Sequence, residues 1–396
     1  MQYSKIYSNI QPSATLAVSE KAKNLKASGK DVLIFTMGEP DFKTPLNIRE
    51  KAEEILKEGH IGYTASSGIL ALKQAICDKL EKDNKLKYKP ENIVVSNGAK
   101  HALRNVIEAV LNPEDEVIIP SPYWVTYSEL VKMSCGIPVV IEGKAENDYK
   151  VSASDIEKAI TDKTKALILN SPSNPTGAVY TEKELKEIAD VAVSHNIIVI
   201  SDEIYEKLVY KGEHISIASF NEEIKKLTAV INGFSKSYAM TGWRVGYSAS
   251  EKNLSKIISD MQSHTTSNIN TLAQYAALEA LNGTQDTVVQ MKAEFKNRRD
   301  YIIERIDKMP LVIANKPKGA FYVFLNIENC INLSYKGTKI TNSTDFANLL
   351  LDEALIASVP GIAFGMENHI RISYATSMEI IREGMDRLEQ VLSKLK

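Results

Sequence analysis

Gly233-Phe234-Ser235-Lys236-Ser237-Tyr238-Ala239-Met240-Thr241-Gly242-Trp243-Arg244-Val245-Gly246 is the most informative stretch of the chain. It follows Leu227 to Ile231, a short apolar run that reads as a buried strand, so its polar groups emerge just past a strand end. Lys236 comes one residue after Ser235 and eight before Arg244, with small residues on both sides. A hydroxyl and a guanidinium converging on one point suit an anionic phosphate, because planar Arg donates a bidentate fork to phosphate oxygens. A lysine amine held between them can form a Schiff base with an aldehyde on the same molecule. A lone Ser-Lys reads as an ordinary loop; the full run does not.

One cofactor carries both an aldehyde and a phosphate: pyridoxal 5'-phosphate (PLP). The run resembles the Schiff-base lysine signature of class I and II aminotransferases, PLP fold type I. That resemblance implies an α/β fold, a large domain with a mostly parallel sheet sandwiched by helices and a smaller α+β domain. It places the large PLP-binding domain at 46–285, and joins 1–45 (an N-terminal arm) to 286–396 as the small one.

Working outward, residues 90–250 alternate short apolar runs with amphipathic segments, the pattern of a sheet with helices on its faces. Strands are expected at Ile93 to Ser96, Val117 to Ile119, Ala166 to Asn170 and Ile197 to Ser201, and a helix at Ala99 to Leu111. Thr181 with Glu184 makes a capping box ahead of Leu185, Ile188, Ala189 and Ala192 at helical spacing. Beyond about residue 285 the rhythm changes to a charged helix, Met291 to Lys308, and an aromatic-rich strand, Gly319 to Leu325. Motifs fall repeatedly just after strands, the edge where ligands bind in open α/β sheets.

Each motif is ambiguous alone and acquires a role through the resemblance. In Ser201-Asp202-Glu203-Ile204-Tyr205, Asp202 is implied to pair with the pyridine nitrogen and Tyr205 with the ring oxygen; Glu203 reads as structural. Asn174, in a loop of Asn, Pro and Gly, is implied to contact the ring oxygen and the substrate α-carboxylate. Gly98 and Ala99 open a helix where free N–H groups and the helix dipole favour phosphate. Ser235 and Arg244 complete that cradle. Trp124 matches the aromatic stacked on the ring. Tyr63 matches a tyrosine reaching the phosphate of the neighbouring subunit, which implies a homodimer with composite active sites.

For substrate, the resemblance assigns the α-carboxylate to Arg371, in Ile370-Arg371-Ile372, and to the Gly38 backbone. Over its full length the chain looks most like bacterial aspartate aminotransferases of the Ib subgroup, in which Lys100 and Thr15 would hold a distal carboxylate. A lysine in the first turn of a helix has the wrong sign for the dipole, which favours an anionic companion. Gln11 departs from relatives that often carry a basic residue before Pro12, which weakens any inference that larger dicarboxylates such as prephenate are also accepted.

Composition narrows the alternatives. The chain has 396 residues, 44% hydrophobic and 25% charged, with a net charge of −2. That charge gives no case for nucleic acid or an anionic membrane, and no apolar run is long enough to cross a bilayer. The three cysteines, Cys77, Cys135 and Cys330, are far apart and suggest neither disulfides nor zinc, but buried thiols of a cytoplasmic protein. Six scattered histidines suggest no metal site. The expected function is transfer of the aspartate amino group to 2-oxoglutarate through a PLP Schiff base. An aromatic or broad-specificity aminotransferase, a β-lyase or decarboxylase of the same fold, and a non-catalytic PLP-binding regulatory module are the alternatives.

Overall fold

The structure, a computed structural model, describes residues 4–8, 10, 14–59 and 61–396, without the side chains of Lys5 and residues 14–16. Gln11 and the Thr15 side chain, both singled out above, lie outside the described residues.

Seven strands build the main sheet: β1 (Ile93–Ser96), β2 (Glu116–Ser121), β3 (Ile137–Glu142), β4 (Thr164–Asn170), β5 (Ile198–Asp202), β6 (Thr228–Gly233) and β7 (Gly246–Ala249). Their order is β1-β7-β6-β5-β4-β2-β3. Strand β7 alone runs against its neighbours; β2 through β6 are parallel. Parallel strands covered on both faces read as continuous apolar runs, and alternation sorts their side chains. Val117, Ile119, Ala166, Ile168 and Ile200 pack against the Ala99–Val110 helix. Ile118, Leu167, Leu169 and Val199 pack against the Glu182–Ser194 helix on the other face. The Thr181 capping box is present, with Glu184 Oε2 accepting from the Thr181 N–H at 2.7 Å.

Two strands of this sheet escaped the sequence reading. Strand β3 is an edge strand containing Pro138 and only half-buried, so its apolar signal is diluted. Strand β7 is four residues beginning at Gly246, too short and too small-sided to register a period.

The start and end of the chain share a second core. Leu33–Ile34 pairs in parallel with Ile356–Ala357. A four-stranded sheet of Val359–Pro360, His369–Ser373, Tyr322–Asn326 and Ile313–Ala314 lies beside the Asp286–Ile306 and Met378–Leu392 helices. The aromatic strand begins at Tyr322, not Gly319. Ala320 has φ 56°, and the Gly319 and Ala320 N–H groups donate to Gly177 and Leu208 carbonyls. This core takes in Leu33 and Phe35 and reaches Ile204, Tyr205 and Leu208, so both ends of the chain pack on the loop after β5.

Cys77 and Cys330 are buried, as expected, but Cys135 is exposed. It sits in the turn closing the Thr126–Met133 helix, with φ 61°.

Candidate active site

A cavity of about 430 Å³ opens between the two cores. It is lined by the ends of β4, β5 and β6 together with Gly38, Trp124 and Arg371. Of the residues singled out from sequence, Gly38, Ala99, Lys100, Trp124, Asn174, Asp202, Tyr205, Ser235, Lys236, Arg244 and Arg371 all line it.

Lys236 follows β6, half-buried, and its Nζ donates to the Gly38 carbonyl at 2.5 Å. Burial lowers its pKa to about 8; Arg244 and Arg371 add to that, while Glu39 and Asp202 oppose it. A lysine so placed holds an appreciable neutral, nucleophilic fraction near neutral pH. Asp202 ends β5 and is buried. Its Oδ2 accepts from Tyr127 OH at 2.7 Å and its Oδ1 from the Ile204 N–H at 3.2 Å. Burial nonetheless pushes its carboxyl up to about 6. A cationic partner on the open side would relieve that cost.

Arg371 is fully buried on its strand. Nη1 donates to Asn174 Oδ1 at 2.9 Å and Nη2 to the Thr36 carbonyl at 2.8 Å. Its Cζ lies 4.4 Å from the Tyr322 ring centroid and 5.0 Å from that of Phe364. Its Nε is buried with no partner, and no carboxylate neutralises it among the described residues. A buried guanidinium without a counter-ion is costly; an incoming carboxylate supplies one.

The Gly98–Gly246 region is built for close approach. A Cβ on Gly98 would stand 2.3 Å from Arg244 Nη2, and one on Gly246 would stand 2.2 Å from the Ala99 nitrogen. The Gly98 N–H itself donates to the Ser96 carbonyl. The N–H groups left free at this helix start therefore begin at Ala99 rather than Gly98. Arg244 adopts φ 56°, unusual for a side chain with a Cβ. Its Nη1 donates to the Thr241 carbonyl at 2.8 Å and its Nη2 to the Asn97 carbonyl at 3.3 Å, which holds the guanidinium against Gly98. Lysine, cradle, buried Asp and aromatic wall together fit PLP.

Comparison with known proteins agrees with that fit. Residues 30–388 match the family model for "Aminotransferase class I and II". The chain is a class I and II aminotransferase.

This aminotransferase is 49% identical over 382 residues to the aspartate aminotransferase of Bacillus sp. strain YM-2, covering 96% of each chain. It is 44% identical over 387 residues to the asparagine–oxo-acid transaminase of Streptococcus mutans, covering 97% of this chain and 98% of the relative. Among solved structures, it superposes on the aspartate aminotransferase from Rhizobium meliloti with a TM-score of 0.97 at 37% identity, over 100% of each chain.

Several cavity groups of the aminotransferase were not foreseen. Tyr127 lies three residues after Trp124 and packs edge-on against it at 5.5 Å; in sequence it is indistinguishable from a core tyrosine. Tyr322 hydrogen-bonds the Tyr205 hydroxyl at 2.9 Å. Glu39 accepts from the Thr241 hydroxyl at 2.7 Å, closing a contact between the N-terminal segment and the lysine loop.

Glu203 is structural. It accepts from Ser201 and Ser216 hydroxyls at 2.9 and 2.6 Å and lies 2.9 Å from His214 Nε2. Glu203, Glu206 and His214 bring three ligand-type atoms within 4.8 Å, but the Lys79 ammonium already sits against Glu206. Burial alone would raise the Glu206 carboxyl; Lys79 and then His214 outweigh it and hold it at about 2.

Proposed function

We propose that the enzyme moves the amino group of aspartate to 2-oxoglutarate, giving oxaloacetate and glutamate. PLP, when bound, supplies an aldehyde that takes up the amine and a ring that accepts the electrons freed at Cα. The protein does the rest. Lys236 would hold the cofactor through its amine nitrogen and, once freed by the incoming amine, would carry the proton to and from Cα. Asp202, kept in place by Tyr127 and the Ile204 N–H, would keep the ring nitrogen protonated. Tyr205 and Asn174 would bond the ring oxygen. Ser235, Arg244 and the helix start at Ala99 would take the phosphate. Arg371 receives the α-carboxylate in a fork that Lys could not offer.

The observation that carries the aspartate assignment is Lys100. Its Nζ lies 4.8 Å from the Trp124 ring centroid at the cavity wall, with no carboxylate paired to it among the described residues. The protein packed around its ammonium, and then Arg244, hold its pKa below the usual lysine range. An anion there is favoured, and a substrate's second carboxylate is the natural one. The Streptococcus mutans relative, named for an amide donor, shows that overall identity does not decide the donor; this side chain can. Lys100→Ala is expected to lower kcat/KM for aspartate by about 2–4 kcal/mol, the loss of a charge-assisted contact in a closing site. Alanine, with no second carboxylate, is expected to lose far less. Equal losses in steady-state assays would assign Lys100 to the phosphate instead.

A homodimer with shared sites is part of the same proposal. Tyr63 is 93% exposed and touches nothing in its own cavity, and Leu46, Leu56, Ile61 and Leu70 nearby in sequence are exposed as well. Tyr63→Phe subunits mixed with Lys236→Ala subunits are expected to yield heterodimers with one intact site, and activity above either parent. No recovery after verified subunit exchange would make the site self-contained.

A further inference from the structure

Lys23 stands one turn beyond Ser19 on the Ala14–Ala27 helix, and both line the cavity. Ser19 Oγ and Thr36 Oγ1 are 2.6 Å apart, tying this helix to the segment that leads into Gly38. On the same helix Lys21 has an acidic neighbour, Asp352, at 4.0 Å; Lys23 has none among the described residues.

The charge count around the cavity is lopsided. Its cations are Lys23, Lys100, Lys236, Arg244 and Arg371; its carboxylates are Glu39 and Asp202. Both carboxylates are engaged, by Thr241 and by Tyr127 with Ile204. Cofactor phosphate and substrate α-carboxylate would occupy Arg244 and Arg371, and Lys236 serves the chemistry. Lys23 and Lys100 are left over, and they ride on different units. Lys100 belongs to the Ala99–Val110 helix, packed on the main sheet. Lys23 belongs to a helix whose Ala22 is buried with Val32, Leu351 and Ala357 of the other core.

We propose that Lys23 is a specificity-determining residue, its ammonium binding the distal carboxylate of a dicarboxylic substrate from the side opposite Lys100. The inference rests on the acidic-donor reading above and extends it to a group that reading does not use. A carboxylate held by both lysines ties the N-terminal helix to the main-sheet unit, so recognition of the second carboxylate also covers the site. In open solvent such a contact contributes little; it strengthens as the helix settles over the cavity and water leaves.

The test uses purified holoenzyme with Lys23→Met, which keeps the stem, and Lys23→Arg, which keeps the charge. Maleate, a dicarboxylate with no amino group, is titrated through the absorbance of the bound cofactor. Aspartate and alanine are compared in steady state. Lys23→Met is expected to weaken maleate binding and raise KM for aspartate roughly tenfold, the scale of one charge-assisted contact, with kcat nearly unchanged and alanine much less affected. Lys23→Arg is expected to restore most of both. Unchanged maleate affinity in Lys23→Met, or equal losses for aspartate and alanine, would overturn the proposal. A wild type that does not prefer aspartate would sink the donor assignment instead, and the maleate titration would still decide Lys23.

Discussion

Lys236→Ala is expected to stop transamination, lowering turnover by at least about ten-thousand-fold, because covalent attachment and proton transfer are lost together. The native amine donates to the Gly38 carbonyl, and the other two lysines that line the cavity, Lys23 and Lys100, lie on helices. Lys23 and Lys100 stand at the cavity's margin and cannot substitute. The substituted protein is expected to bind PLP without the Schiff-base absorbance of the wild type, since Ser235 and Arg244 remain. The pKa of about 8 adds a pH signature. The reactive form of the amine is the deprotonated one, so the rate of cofactor attachment to the apoprotein should rise with pH and level off above about 8. Stopped-flow absorbance on apoprotein mixed with PLP reads this directly. A mutant turning over at near-native rate would remove Lys236 from the chemistry.

Asp202→Asn is expected to cost roughly a hundred- to thousandfold in the step that frees the Cα proton, the scale for losing one preorganised charge partner. The carboxylate is buried, and both oxygens already accept hydrogen bonds from the protein. Burial raises its pKa to about 6 even with the Lys236 charge nearby, and no cation pairs with it directly among the described residues. A protonated ring nitrogen would be such a partner, stabilising the ionised carboxylate and in turn keeping its own proton. An amide keeps the shape and loses the charge, so PLP should remain bound while single-turnover rates fall. Tyr127→Phe removes one donor to the same carboxylate and should show a milder loss, about tenfold. Rates within twofold of wild type for Asp202→Asn would mean that this carboxylate does not face the ring nitrogen.

Legibility in the sequence followed how local each signal was. The parallel strands β4, β5 and β6 carry apolar runs; β4 and β5 end in Asn170 and Asp202, which line the cavity, and β6 is followed two residues on by Ser235 and Lys236, which also line it. Their chemistry could be read because strand end and motif are contiguous. Tyr127, Tyr322 and Glu39 could not be read that way. Their roles arise from meeting Asp202, Tyr205 and Thr241 across 75, 117 and 202 residues of chain, and nothing near each of them marks the encounter. At Gly98 the chain geometry is not visible in the sequence. This glycine's lack of a side chain matters, but because Arg244 fills the space, while its own N–H turns back to Ser96. Lys23 carried no local signal at all; it stands out only once the cavity's charges are counted together.

The most direct measurement is a single half-reaction. Holoenzyme is mixed with aspartate in the absence of any 2-oxo acid, and cofactor absorbance and products are followed together. The account predicts one equivalent of oxaloacetate per site, loss of the Schiff-base band with no ammonia released, and recovery of the band with one equivalent of glutamate on adding 2-oxoglutarate. Ammonia and pyruvate from a β-substituted amino acid, with no half-transamination of aspartate, would contradict it and make the enzyme a lyase.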